Sequence, residues 1–130
     1  MEDKNVTIPV GTRQAPAAIG PYSQGVQSGG FLFVSGQLPI VPETGEFVAG
    51  DIQARTHQCL KNVAAIAHAA GTDIHRAVKV TVFLTNMGDF GQVNDAYGQH
   101  FGENFPARSA VQVVALPKGS DVEIEAIISV

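Results

Sequence analysis

Val122-Glu123-Ile124-Glu125-Ala126-Ile127-Ile128-Ser129-Val130 are the last nine residues of the chain, and their alternation decides the fold. Successive side chains of a strand point to opposite faces. Val122, Ile124, Ala126, Ile128 and Val130 therefore form a wholly apolar face, which needs a cover of helices, while Glu123, Glu125, Ile127 and Ser129 form the other. That second face is neither core nor ordinary solvent surface. Its mixture of acids and aliphatics fits sheets from several subunits meeting there, with polar groups left at the clefts between them. A homo-oligomer is the expectation.

Working outward, Pro117-Lys118-Gly119 is a turn, and a second strand is expected before it, near Ser109 to Leu116. A helix over about Asp89 to Phe101 places Phe90, Val93, Tyr97 and Phe101 on one side, with Asn94 beside them. Ala77 to Leu84 alternates Val78, Val80, Val82 and Leu84 against Lys79, Thr81 and Phe83, the period of a strand. Ile52, Thr56, Cys59, Leu60, Val63, Ile66, Ala67 and Ala70 make one face of a long helix, which Asp51 can cap and Gly71 can close in a left-handed conformation. Gly25-Val26-Gln27-Ser28, Gly29-Gly30 and Phe31-Leu32-Phe33-Val34-Ser35 have the form of a hairpin. Pro39 and Pro42 interrupt the segment after the hairpin, and a brief Phe47-Val48 segment comes after the Thr44-Gly45-Glu46 turn. The resulting order, strand-strand-helix-strand-helix-strand-strand, indicates an α+β domain with two helices on one face of a mixed sheet.

The 130 residues fit one domain, 1–130, with 1–14 as a short leader. Charged residues make up 15%, against about 25% in an average soluble domain, and 8 basic against 12 acidic residues give no positive field to gather phosphates. Nucleic acid is therefore an unfavoured partner. Cys59 is the single cysteine, which excludes an intrachain disulfide and fits a reducing, cytoplasmic setting. Met1 to Val10 has no apolar core of signal-peptide length, and no run of about 18 apolar residues marks a membrane span. Asn5-Val6-Thr7 matches a glycosylation acceptor, a triplet common by chance.

Arg108, in Phe105-Pro106-Ala107-Arg108-Ser109, is the strongest candidate for a functional side chain. A guanidinium stays charged and offers a planar fork that matches a carboxylate in two hydrogen bonds; the plain alternative is a surface or intersubunit ion pair. Glu123 and Glu125 share one side of their strand, and one of them can act as a general acid or base, unless both simply face solvent. If the strands of Arg108 and the acids are neighbours, they border one cleft. Tyr22 follows Gly20-Pro21, a rigid approach that fixes a ring able to pack on a ligand or in a half-buried site. Gly36, in Ser35-Gly36-Gln37, allows close approach to backbone at a strand end, and Asn94 either orients polar groups at a subunit cleft or faces water. His57 and His68 are eleven residues apart on one helix, and His75 and His100 lie in other segments, so no metal site is expected. Cys59 lies on the buried helix stripe and reads as a small apolar residue, and no phosphate-cradling glycine motif occurs.

Ala15-Pro16-Ala17-Ala18-Ile19-Gly20-Pro21-Tyr22-Ser23-Gln24, Val34-Ser35-Gly36-Gln37-Leu38-Pro39, Phe105-Pro106-Ala107-Arg108-Ser109 and Val122-Glu123-Ile124-Glu125-Ala126 closely resemble the RidA (YjgF-type) reactive-intermediate deaminase family, over nearly the whole chain from about Ala15. The resemblance implies a chorismate-mutase-like fold and a homotrimer with a central barrel-like core and three clefts between subunits. It also implies cofactor-free hydrolysis of 2-imino and enamino acids, such as 2-aminoacrylate-derived imines, to 2-keto acids and ammonia. By the same resemblance Arg108 holds the substrate carboxylate, Glu123 positions or activates water, and Tyr22, Gly36 and Asn94 line the cleft. Ala110 stands where the family often has cysteine, which removes thiol chemistry but keeps the backbone carbonyl to which water-holding is usually assigned. Two other readings come from different classes: a non-catalytic trimer that binds 2-keto acids, and, least favoured by the acidic balance, an RNA-cleaving translation inhibitor.

Overall fold

A computed structural model describes residues 6–130. Asn5 of the acceptor triplet, and the expected leader before Val6, lie outside the described residues. Strands β1 (Ile8–Val10), β2 (Gly25–Ser28) and β3 (Phe31–Gln37) are followed by the two-residue strands β4 (Ile40–Val41) and β5 (Glu46–Phe47). Helix α1 (Ile52–Ala69), β6 (Ala77–Leu84), α2 (Phe90–Tyr97), β7 (Ala107–Gln112) and β8 (Val122–Ser129) complete the order. The six-stranded sheet runs β1-β2-β3-β8-β6-β7, and β4 and β5 pair separately. Only β6 and β7 are parallel among its pairs. A parallel pair needs a crossover, which α2 supplies.

The two helices cover one face, as expected. Leu32, Val34, Val80, Val82, Leu84, Val122, Ile124, Ala126 and Ile128 are buried beneath the helix stripe of Cys59, Leu60, Val63, Ile66 and Ala67 and beneath Val93, Tyr97 and Phe101 of the α2 segment. Asp51 caps α1, its Oδ1 accepting the Ala54 N–H at 3.0 Å. At the other end Gly71 adopts φ 78° and its N–H donates to the His68 carbonyl, while the Thr72 N–H reaches back to Ala67, so the final carbonyls are satisfied.

Four expectations need correction. Ile8–Val10, assigned to the leader, forms an edge strand paired with β2. The β7 strand spans Ala107–Gln112 rather than Ser109 to Leu116, because it keeps the parallel register with β6, which ends at Leu84 opposite Gln112. Beyond the last bond, from the Val113 N–H to the Leu84 carbonyl, Val114 projects fully into solvent. Helix α2 ends at Tyr97 and continues only as a 3-10 turn to His100, and β5 lies at Glu46–Phe47 rather than Phe47-Val48.

Candidate functional site

The sheet register decides which candidate side chains can meet. Arg108 pairs with Val80, and Val80 pairs with Ala126, so Arg108 shares the helix-covered face. Glu123 pairs with Phe83 and Glu125 with Thr81, on the opposite face. Strands β7 and β8 are not neighbours, since β6 lies between them. Arg108 and the two acids therefore do not border one cleft within a chain, contrary to the arrangement that adjacent strands would have given. The candidates instead form two half-sites.

The first half-site is a cleft of about 750 Å³ whose lining includes Tyr22, Gly36, Lys118, Glu123 and Glu125. A β-bulge shapes it. Between the pairs Val34–Ala126 and Gln37–Ile124, Ser35 and Gly36 together oppose Glu125, which bends β3 and re-aims the backbone at the cleft. Gly36 leaves room for Glu123, since a Cβ on it would lie 2.8 Å from the Glu123 carboxyl carbon and 3.0 Å from Oε2, so any larger residue moves that carboxyl. Glu123 is half-buried, and burial first, then the charge of Glu125, pushes its carboxyl above the ordinary value of 4.5. Tyr22 remains 53% exposed over the cleft. Its loop is stitched down by the buried Gln24, whose Oε1 accepts the Thr12 N–H at 2.7 Å and whose Nε2 donates to the carbonyls of Thr12, Ala15 and Pro16.

The second half-site lies at the β7 edge. Arg108 Nη1 donates to Asn94 Oδ1 at 2.7 Å, and its guanidinium carbon sits 4.8 Å from the Tyr97 ring centroid and 5.3 Å from that of Phe90. Phe90, Asn94 and Tyr97 have i, i+4, i+7 spacing, so one face of α2 presents all three to the arginine. Among the described residues no carboxylate pairs with Arg108. The fork is held in place with its charge still available to an anion. Ala110, two residues along β7, shares this face and packs at the edge of the core.

Sequence reasoning missed Phe90 and Tyr97 as holders of the arginine, although their spacing about Asn94 carried the signal. Tyr97 has a buried hydroxyl with no partner among the described residues, and its phenol is pushed up by burial while the Arg108 charge pulls it down. Lys118, to which the turn motif assigns no further role, lines the cleft and takes the left-handed conformation, φ 58°, that an ordinary side chain rarely adopts. The histidines also depart from their expected dispersal, because His57 and His100 are in contact.

Comparison with known proteins agrees with this architecture. The family model described as Endoribonuclease L-PSP matches residues 12–130, and the chain belongs to that family, the RidA (YjgF-type) family that its motifs resemble. A RutC family protein, y4sK of Sinorhizobium fredii, is 54% identical over 93% of this chain and 96% of its own. The 2-iminobutanoate/2-iminopropanoate deaminase of Mus musculus is 50% identical over 91% of this chain and 87% of its own. Among solved structures, E. coli TdcF with bound serine superposes with a TM-score of 0.90 at 46% identity, covering 95% of this chain and 99% of that one.

Proposed function

We propose that the whole chain acts as one domain of a cytoplasmic, cofactor-independent hydrolase that deaminates 2-imino acids. It works as a homotrimer in which Arg108 of one subunit and Glu123 of the next complete each site. The observation that carries this reading is the division of the candidates: a held cation with no carboxylate partner among the described residues on one face of the sheet, and a half-buried acid with its cleft on the other. Neither half-site suffices alone, and two copies brought face to edge supply both. Relatives named 2-iminobutanoate/2-iminopropanoate deaminase at about 50% identity favour the imine as substrate, and the serine bound to TdcF is a small carboxylate of related shape.

The chemistry needs positioning and one proton relay. Arg108 grips the carboxylate next to the C=N carbon. Water attacks that carbon of the protonated imine, a C–O bond forms, and the π pair moves to nitrogen, neutralising it, while Glu123 accepts a water proton. In the resulting carbinolamine Glu123 returns that proton to nitrogen, the C–N bond breaks as a hydroxyl lone pair forms the carbonyl, and the hydroxyl proton passes back to Glu123 as ammonia leaves. An enamine first takes a proton at its terminal carbon to become the imine. The Ala110 carbonyl supplies a water-holding acceptor, and Tyr22 closes over the ligand.

The RNA-cleaving reading is disfavoured by the charge of the chain, 12 acidic against 8 basic residues, which leaves no positive field to gather a phosphate backbone. The test is the rate of imine loss when an amino-acid oxidase or a serine/threonine dehydratase generates 2-iminopropanoate or 2-iminobutanoate beside a trapping reagent. Wild type accelerates the loss, and Arg108→Ala abolishes the acceleration with the oligomer intact. Equal rates in both proteins would remove Arg108 as the carboxylate anchor. Saturable 2-keto-acid binding without turnover would replace the enzyme by a binding protein.

A further inference from the structure

Glu125 lines the same cleft as Glu123, yet the deamination steps use only one of the two acids. Both lie on one face of β8, with Thr81 and Phe83 of β6 on one side and the Ser35–Gly36 bulge of β3 on the other. Glu123 is half-buried and Glu125 exposed. We propose that Glu125 is a positioning residue for the proton of Glu123: its charge, on the same wall of the cleft and paired with no cation among the described residues, keeps that proton on Glu123 until an enamine substrate takes it at its terminal carbon. This role rests on the deaminase reading and adds to it the form of substrate that the second acid serves.

The charges around Glu123 leave Glu125 as the one that acts on it. Lys118 lines the cleft from its turn but forms an ion pair with neither acid. On β6, Lys79 stands opposite Ile127 and donates instead to the Ser109 hydroxyl at 2.9 Å. On the helix side Arg55 and Asp121 pair with each other at 3.3 Å, and Cys59 is a buried thiol whose ionisation burial opposes. Strand β3 brings no charge, since Ser35, Gly36 and Gln37 are neutral. Burial first, and then the charge of Glu125, therefore favour the protonated form of Glu123. In the proposed trimer the Arg108 that meets this cleft pulls the other way until a substrate carboxylate neutralises it, so the proton is held in the substrate-bound site.

Proton balance gives the held proton a use. Glu123 donates it to the terminal carbon of an enamine of the 2-aminoacrylate type. The C=C pair forms the new C–H bond, the nitrogen lone pair forms C=N, and a protonated imine is left facing a Glu123 carboxylate. That carboxylate is the base that accepts the water proton. The last step, in which the hydroxyl proton passes back to it, leaves Glu123 protonated for the next enamine. An imine that arrives already protonated skips the first transfer and needs Glu123 as its carboxylate, so the two substrate forms respond differently to the charge of Glu125.

Two precursors of one imine test the role: serine with its dehydratase, which releases the enamine, and alanine with an amino-acid oxidase, which releases the imine, each beside a trapping reagent. Glu125→Gln should lower the enamine rate at pH 7 about threefold or more relative to the imine rate, and move the alkaline fall of the enamine kcat to lower pH. Glu125→Asp, which keeps the charge, should restore most of both. Glu125 is exposed, so both variants should fold. An enamine-to-imine ratio in Glu125→Gln equal to that of wild type, or a loss that Glu125→Asp does not mend, overturns the role of Glu125 and leaves the deaminase reading standing. No acceleration by wild type with either precursor ends the deaminase reading and this role with it. Carboxyl-carbon NMR of the assembled protein saturated with 2-ketobutanoate needs no turnover: the Glu123 signal must titrate at lower pH in Glu125→Gln than in wild type, and coincident titrations reject the coupling.

Discussion

Glu123 carries its carboxyl half out of water, with Glu125 two residues on and Gly36 directly beneath it. A carboxyl raised above its ordinary 4.5 favours the protonated form in the folded chain, so its contribution to stability is present below that value and is lost as pH rises through the raised one. Glu123→Gln abolishes this loss. Thermal melts should give the variant a Tm at pH 7 at least as high as wild type, with the difference vanishing toward pH 4, while imine turnover falls by two orders of magnitude or so if the acid is a general base. A lower Tm at pH 7 would mean that the ionised carboxylate is held by contacts of its own. Gly36 gives a sharper geometric test, because its φ is not in the left-handed region and alanine is tolerated by the backbone. Gly36→Ala should fold normally and displace the Glu123 carboxyl, lowering kcat about tenfold or more with little change in Tm. Unaltered kcat would separate Glu123 from the chemistry.

At the scale of elements, legibility in the sequence depends on how strongly burial writes a period into a segment. The α1 stripe from Ile52 to Ala67, the alternation of β6 and that of β8 are dictated by the core, and the elements begin and end where their caps and patterns indicate. β1 and β7 lie at the two sheet edges, where half the backbone bonds are absent and Ser109, Val111 and Gln112 face no core, so nothing in their residues marks a boundary. The identities of Arg108, Glu123, Tyr22 and Gly36 stood out as residue types, but their division between two faces depended on β6 entering between β7 and β8, a long-range pairing that no local pattern records. The same topology makes α2 the element that aims Arg108. Asn94→Ala should release the guanidinium and raise KM about tenfold, near 1.4 kcal/mol, with kcat changed less. Asn94→Asp, closer in shape, should be the worse of the two, because a carboxylate at that position pairs with Arg108 and competes with the substrate. If Asp is the milder replacement, Asn94 acts by packing rather than by leaving the cation free.

At the scale of the whole molecule, the open face of the sheet is the surface that two half-sites require. Phe31 and Phe33 are 40% and 45% exposed on β3, Val111 is 41% exposed on β7, and Phe33 lies between Val26 and Ile127 in a continuous apolar strip. Such a row of aromatic and aliphatic groups is the surface that the proposed trimer would cover. Phe33→Asp should therefore yield monomers by light scattering and abolish turnover, although Arg108 and Glu123 are untouched. A shared site makes a stronger demand. In the proposed trimer, assembled from equal parts of Arg108→Ala and Glu123→Gln subunits, each interface would draw its arginine from one copy and its acid from the next, and about one interface in four would receive both native residues. Two inactive proteins, unfolded and refolded together, should then recover about a quarter of the wild-type rate, whereas each refolded alone recovers none. If every site drew both residues from a single chain, the mixture would stay inactive at any ratio, since no chain in it carries Arg108 and Glu123 together. The recovered fraction thus reads directly how many chains make one site.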